Sequence, residues 1–170
     1  MDILAHSLWT NVVFFKKFSS EKKQRLTAVF FGILPDLVSF VPSTIYLLFA
    51  GKQFSPALFG SDLWVFRYAE ASYNYSHSFV VFLLSVGLVY VVCKKIYWPM
   101  WGWGLHILID IFTHKNFYET PFLFPISEVR FGHGISWAHP TFMFLNYFAL
   151  LAVYLFWFLV LRKKYVKKSS

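Results

Sequence analysis

The chain is short of charge and nearly devoid of cysteine. Only 14% of its 170 residues are Asp, Glu, Lys or Arg, against about 25% in soluble domains. That shortage argues against an ordinary water-facing surface. The one cysteine, Cys93, rules out an intrachain disulfide and reads as an inert thiol at the end of an apolar run. No basic region precedes the first apolar stretch, which begins Met1-Asp2-Ile3-Leu4-Ala5-His6; a cleavable signal peptide is therefore not expected. Internal repeats are also missing, and low complexity is confined to a short basic tail.

Apolar residues fill the space that charge leaves. They make up 58% of the chain and include 22 Phe, more than a soluble core of this size can hide. Crossing a bilayer takes about 20 apolar residues in a helix. The expectation is an all-α, polytopic transmembrane bundle forming one membrane-embedded domain over 1–170. Spans are expected at roughly 26–50, 77–93, 99–114 and 141–161. Residues 3–18 read as a helix only partly inserted. Pro35, in Leu34-Pro35-Asp36, removes a backbone donor, so the 26–50 segment is expected to be a broken helix lining a cavity. Residues 51–76 read as a loop with a short interfacial helix. Residues 115–140, with Pro121, Pro125 and Pro140, read as a long ordered loop.

A net charge of +8 invites a nucleic-acid reading, but the cations are in the wrong places for one. Lys16, Lys17, Lys22, Lys23 and Arg25 cluster; so do Lys94 and Lys95; so do Arg162, Lys163, Lys164, Lys167 and Lys168. Each cluster flanks an apolar segment, as cytoplasmic loops do under the positive-inside rule. These clusters hold 12 of the 16 Lys and Arg. The bilayer, not nucleic acid, is the expected partner. The expected location is the cell membrane, multi-pass, with a cytoplasmic tail at 162–170. All six histidines then fall on the outer half.

Two of those histidines bound the run His106-Ile-Leu-Ile-Asp110-Ile-Phe-Thr-His114. Residues four apart share a helix face, so His106, Asp110 and His114 point one way. An ionisable residue at membrane depth is a functional-site signal. His6, Asp36 and His77 converge on the same outer half. Imidazole and carboxylate suit a divalent ion such as zinc, and a cation compensates carboxylates near lipid. Taken singly, the residues have plainer readings. His6 could be an interfacial histidine, Asp36 a helix cap after Pro35, and His77 a helix-start residue.

The order Met1-Asp2 with His6, Gly32-Ile33-Leu34-Pro35-Asp36, Ser76-His77-Ser78 and His106-x-x-x-Asp110-x-x-Thr113 resembles the membrane-bound metal-dependent hydrolase family. That family is in turn similar to the zinc-dependent phospholipase C fold. The likeness covers residues 1–125. It implies a helical bundle with His6, Asp36, His77, His106 and Asp110 as metal ligands, holding one or two ions. With two ions, Asp110 would bridge; one ion would also take His6, the other Asp36, His77 and His106. The chain departs from the family pattern at Val38, where a second Asp is frequent, and at Ser72-Tyr73-Asn74, where the family has His-Arg-Gly. His114, Glu128, His133 and His139 do not match the spacing of a third metal site.

The 115–140 loop offers substrate contacts. Arg130 suits a phosphate by bidentate hydrogen bonding, or else pairs with Glu128 or Glu119. Trp137 reads as an interfacial anchor, and His139 is a further candidate contact. His114 is the candidate proton shuttle. The functional expectation is a metal-dependent hydrolase, a phosphoesterase acting on a lipid or lipid-linked phosphate. The competing expectation is a non-enzymatic membrane protein, either a metal-binding transporter subunit or an assembly factor.

Overall fold

The structure is a computed structural model that describes residues 1–53, 61–115 and 119–166, with side chains as far as residue 160. Pro56 and Gly60, expected in a loop, lie outside the described residues. So do the side chains of the basic tail from Arg162 onward. Among the described residues there are six α-helices and no strand: α1 Ile3–Phe15, α2 Lys22–Phe49, α3 Trp64–Ser76, α4 Phe79–Cys93, α5 Trp101–Thr113 and α6 Pro140–Val166. A single 3₁₀ turn, Trp98–Met100, leads into α5.

Two helices, α2 and the Pro140–Val160 part of α6, are long and apolar enough to cross a bilayer. A third span exists if α3 and α4, bent by 64° at their junction, are taken together. The expected spans at 77–93 and 99–114 are helical but short. Helix α4 has 15 residues and α5 has 13, both below the roughly 17-residue minimum for crossing alone. Helix α3 continues what α4 lacks in length.

The expected break at Leu34-Pro35-Asp36 is corrected. Helix α2 runs uninterrupted for 28 residues with Pro35 and Pro42 inside it. Each proline deletes only its own bond to the carbonyl four residues back, Phe31 or Val38. The remaining ladder and packing against neighbours carry the helix through, as they do in membrane helices. The chain breaks instead after Ser76. Ser78 ends the interruption by capping α4, its hydroxyl accepting from the amides of Val80 (3.1 Å) and Val81 (3.2 Å).

Helix α2 is the spine, packed against α1, α3 and α5. Its partners approach closely where side chains are small. At Gly102 of α5, a Cβ would lie 2.1 Å from the Ala28 carbonyl oxygen of α2. Small residues at such contacts let membrane helices come together. Along the other flank, α1 ties to α6 through Trp9 Nε1 donating to Asn146 Oδ1 at 2.8 Å and Asn11 Nδ2 donating to the Tyr154 hydroxyl at 2.7 Å. Buried residues are few on α4, where only Phe82 is enclosed, and exposed apolar side chains run along α4 and α6. A helix apolar on every side suits lipid.

The segment 119–139 folds over the end of α5. Ile135 and Trp137 amides donate to the carbonyls of Phe112 (2.9 Å) and Thr113 (2.8 Å). Gly134 permits this approach, since a Cβ there would sit 2.6 Å from the His114 carbonyl oxygen.

Candidate metal centre

Four buried side chains from three segments meet at one point. Asp36 comes from α2, His77 from the α3–α4 junction, and His106 and Asp110 from successive turns of α5. One ligand atom from each lies within 4.8 Å of all the others. This group could hold a metal ion.

The tautomers sharpen that statement. His106 Nδ1 faces the Gly32 carbonyl oxygen at 2.8 Å, and a carbonyl only accepts, so Nδ1 carries the proton. His77 Nδ1 likewise faces the Tyr73 carbonyl oxygen at 3.2 Å, with the Ser76 hydroxyl at 2.9 Å. In the neutral rings, both Nε2 atoms are then bare lone pairs, and they face each other at 3.1 Å. Asp110 Oδ2 sits 3.1 Å from His106 Nε2 and 3.5 Å from His77 Nε2, buried and without a hydrogen-bond partner. Asp36 Oδ1 completes the set at 3.6 and 3.7 Å from the two rings. With both rings neutral, their Nε2 lone pairs and the two carboxylate oxygens make a set of four electron-pair donors, the form that would hold a cation. Ligands held about 2.0–2.1 Å from one tetrahedral ion sit about 3.3–3.4 Å from each other. The observed separations bracket that value.

The other carboxylate oxygen of Asp110 has its own surroundings. Oδ1 lies 2.9 Å from His6 Nε2, 3.3 Å from His114 Nε2 and 2.5 Å from the Met1 amino group. The same amino group is 2.7 Å from His114 Nε2. The His6 ring stacks on His106 with centroids 3.8 Å apart. Burial, reinforced by His106, pushes the His6 pKa down to about 4, which keeps the ring neutral at pH 7. Asp2, the cap of α1, accepts from the Ala5 amide at 2.9 Å and from the Tyr147 hydroxyl at 2.8 Å, fixing the helix end that carries His6.

The structure therefore gathers His6, Asp36, His77, His106, Asp110 and His114. The loop candidates have contacts of their own. Arg130 is exposed, its guanidinium donating to the Glu119 carbonyl oxygen (2.7 Å) and to Asn74 Oδ1 (2.9 Å), which ties the loop to α3. His139 is exposed just before α6, its amide bonded to the Ser136 carbonyl. Trp137 and His114 line one cavity beside Asp36.

One residue of the centre escaped the sequence. Tyr73 is buried, its ring stacked on His77 with centroids 3.8 Å apart and its hydroxyl 3.0 Å from His114 Nδ1. It stands where the family pattern has another residue type, and one tyrosine among so many aromatics gives no signal of its own.

No family model, curated protein or solved structure matches the chain. What defines it is a helical, membrane-associated fold with a buried His/Asp cluster fit for a metal ion.

Proposed function

We propose that the protein is a membrane-embedded, metal-dependent hydrolase of the kind the sequence resemblance implies, a phosphoesterase on a lipid or lipid-linked phosphate. The observation that carries this reading is the convergence of four buried ligand atoms from Asp36, His77, His106 and Asp110. Zinc is the ion this nitrogen and oxygen set suits best. His6 and Asp110 Oδ1 would hold a second ion, with Asp110 bridging.

A divalent ion bound there supplies Lewis acidity, lowering the pKa of water and polarising a phosphoryl oxygen. The chain's own residues do the rest. The Gly32 and Tyr73 carbonyls fix the ring tautomers of His106 and His77. His114 lines the adjoining cavity and is positioned to carry a proton, with the Tyr73 hydroxyl on its far nitrogen. The rest of the cavity wall is mostly apolar.

Membrane placement follows from the charge pattern. Helix α2 leads from cytoplasm to outside, α3 with α4 returns, α5, which runs alongside α2 in the same direction from Gly102 at Ala28 to His106 at Gly32, leads out again, and α6 returns to a cytoplasmic C-terminus. The metal centre then faces the outer side.

Metal analysis of the purified protein, paired with a screen of phosphomonoesters and phosphodiesters, tests the proposal. The expected result is zinc at one or two equivalents and phosphoester turnover lost on chelation. Bound metal without turnover on lipid, lipid-linked or soluble phosphoesters would overturn the enzymatic reading and leave a metal-binding subunit.

A further inference from the structure

A cavity of about 430 Å³ adjoins the metal centre. Asp36 and His114 stand at its inner end. Along α2 its wall continues through Phe40, Thr44 and Leu47, positions three or four apart that share one helix face. From residue 36 to residue 47 the helix rises about 16 Å, so the cavity is a trough leading away from the centre. Leu4 of α1 and Trp137 form the facing wall. Apart from Asp36, His114 and the start of α1 at Met1 and Asp2, the trough is lined by apolar side chains and two hydroxyls. The Ser43 and Thr44 hydroxyls both donate back to the Phe40 carbonyl, at 3.0 and 2.8 Å, and offer an occupant no unpaired donor. Its rim is open, since Leu4 is 58% exposed and Thr44 is exposed as well.

We infer that this trough takes one apolar chain ending in a phosphate, so that the substrate is a single-chain phosphate ester and not a diacyl lipid. The inference rests on the metal-hydrolase reading and names the substrate of that same site. The ligand-binding group sits at one end only, which fixes the head. The walls fix the tail. Its volume lies at the low end of the roughly 300–1,000 Å³ of ligand pockets, room for one chain. A second apolar cavity of about 470 Å³ lies on another face of α2, lined by Leu34, Pro35 and Val38. The helix itself stands between the two cavities, so a second chain of one lipid cannot reach it from Asp36.

The test is a chain-length series of alkylphosphonates, methyl to hexadecyl, titrated into zinc-loaded full-length protein in phosphatidylcholine nanodiscs, with protein-free discs as the blank. Each methylene that enters the trough is worth about fourfold in affinity. Affinity should climb with chain length and then level off, and a phosphonate with two acyl chains should bind no tighter than the best single chain. Thr44→Trp and Leu4→Trp narrow the trough from opposite walls, so the levelling should come at a shorter chain in both, with metal content unchanged. Farnesylphosphonate beside dodecylphosphonate separates an isoprenoid from a straight-chain source; either one binding best supports the inference. Affinity independent of length in protein that holds zinc and binds methylphosphonate would overturn it while leaving the hydrolase reading intact. So would tighter binding of the two-chain ligand, or an unmoved plateau in both variants. Failure to bind zinc or any phosphonate would overturn the reading of the centre, and this inference with it.

Discussion

Asp110 serves two sets of ligands with one carboxylate. Oδ2 faces His77 and His106, while Oδ1 faces His6, His114 and the Met1 amino group. Asp110→Ala and His106→Ala should each abolish metal binding, because the ligands left cannot fill the coordination sphere; elemental analysis of the purified variants checks this. Full metal content in either would remove the pair from the site. Tyr73→Phe is subtler. It keeps the ring stacked on His77 and deletes only the hydroxyl bonded to His114 Nδ1. Partners of this outer kind are worth about 10- to 100-fold in metal affinity or activity. The expected outcome is a loss of that size in kcat/KM with an unchanged melting temperature, and rates equal to wild type would assign Tyr73 to packing alone. At this scale the sequence was partly legible. The i, i+4 pair His106 and Asp110 can be read from helical period. Asp36 and His77 become partners only through tertiary packing, and Tyr73 and the Met1 amino group have no spacing that reveals them. Arg130 among aromatics suggested a phosphate contact; its hydrogen bonds to Asn74 and the Glu119 main chain, acceptors distant in sequence, could not be read from spacing.

Among the elements, the contact between α2 and α5 sets the centre, because it brings Asp36 to His106 and Asp110. Gly102 makes the contact possible, and Gly32 does the same for α1, where a Cβ would meet Thr10 Oγ1 at 2.3 Å. Gly102→Ala forces backbone against backbone at Ala28, a clash no rotamer can relieve. Overpacking of this kind costs about 1–3 kcal/mol. A lower melting temperature and weaker zinc binding should appear together, measured by thermal unfolding in detergent and by competition with a chromogenic chelator. A variant with native stability and affinity would show that the helices are free to separate. Glycines in an apolar helix are a readable sign of close approach. The prolines were less readable. Pro35 signals a lost hydrogen bond but not whether the helix breaks, and α2 continues because packing on three sides outweighs one missing bond. The short helix expected within 51–76 is α3, 13 residues long; its extent and its packing against α2 were hidden by Arg67 and Glu70.

For the molecule as a whole, the exposed apolar side chains of α4 and α6 suit lipid, and the proposed orientation rests on the distribution of cations. Composition made the membrane legible from sequence, since it needs only length and apolarity. The number of spans was less legible, because α3 and α4 meet at a 64° bend that only three dimensions reveal, and whether the pair counts as one span turns on it. Orientation can be measured with single cysteines in a Cys93→Ser background, which is required because the native thiol is exposed. Ser20, exposed in the turn between α1 and α2, lies among the first basic cluster; Glu128 is exposed in the segment that caps α5. A membrane-impermeant maleimide applied to intact cells should label Glu128→Cys and spare Ser20→Cys until the cells are broken. The reverse pattern would turn the metal centre toward the cytoplasm. The choice matters for chemistry as well as address. A centre open to the outer side draws its metal from that side, so an impermeant chelator added to intact cells should strip it. A cytoplasmic centre would ignore the same treatment, and the two experiments must therefore agree.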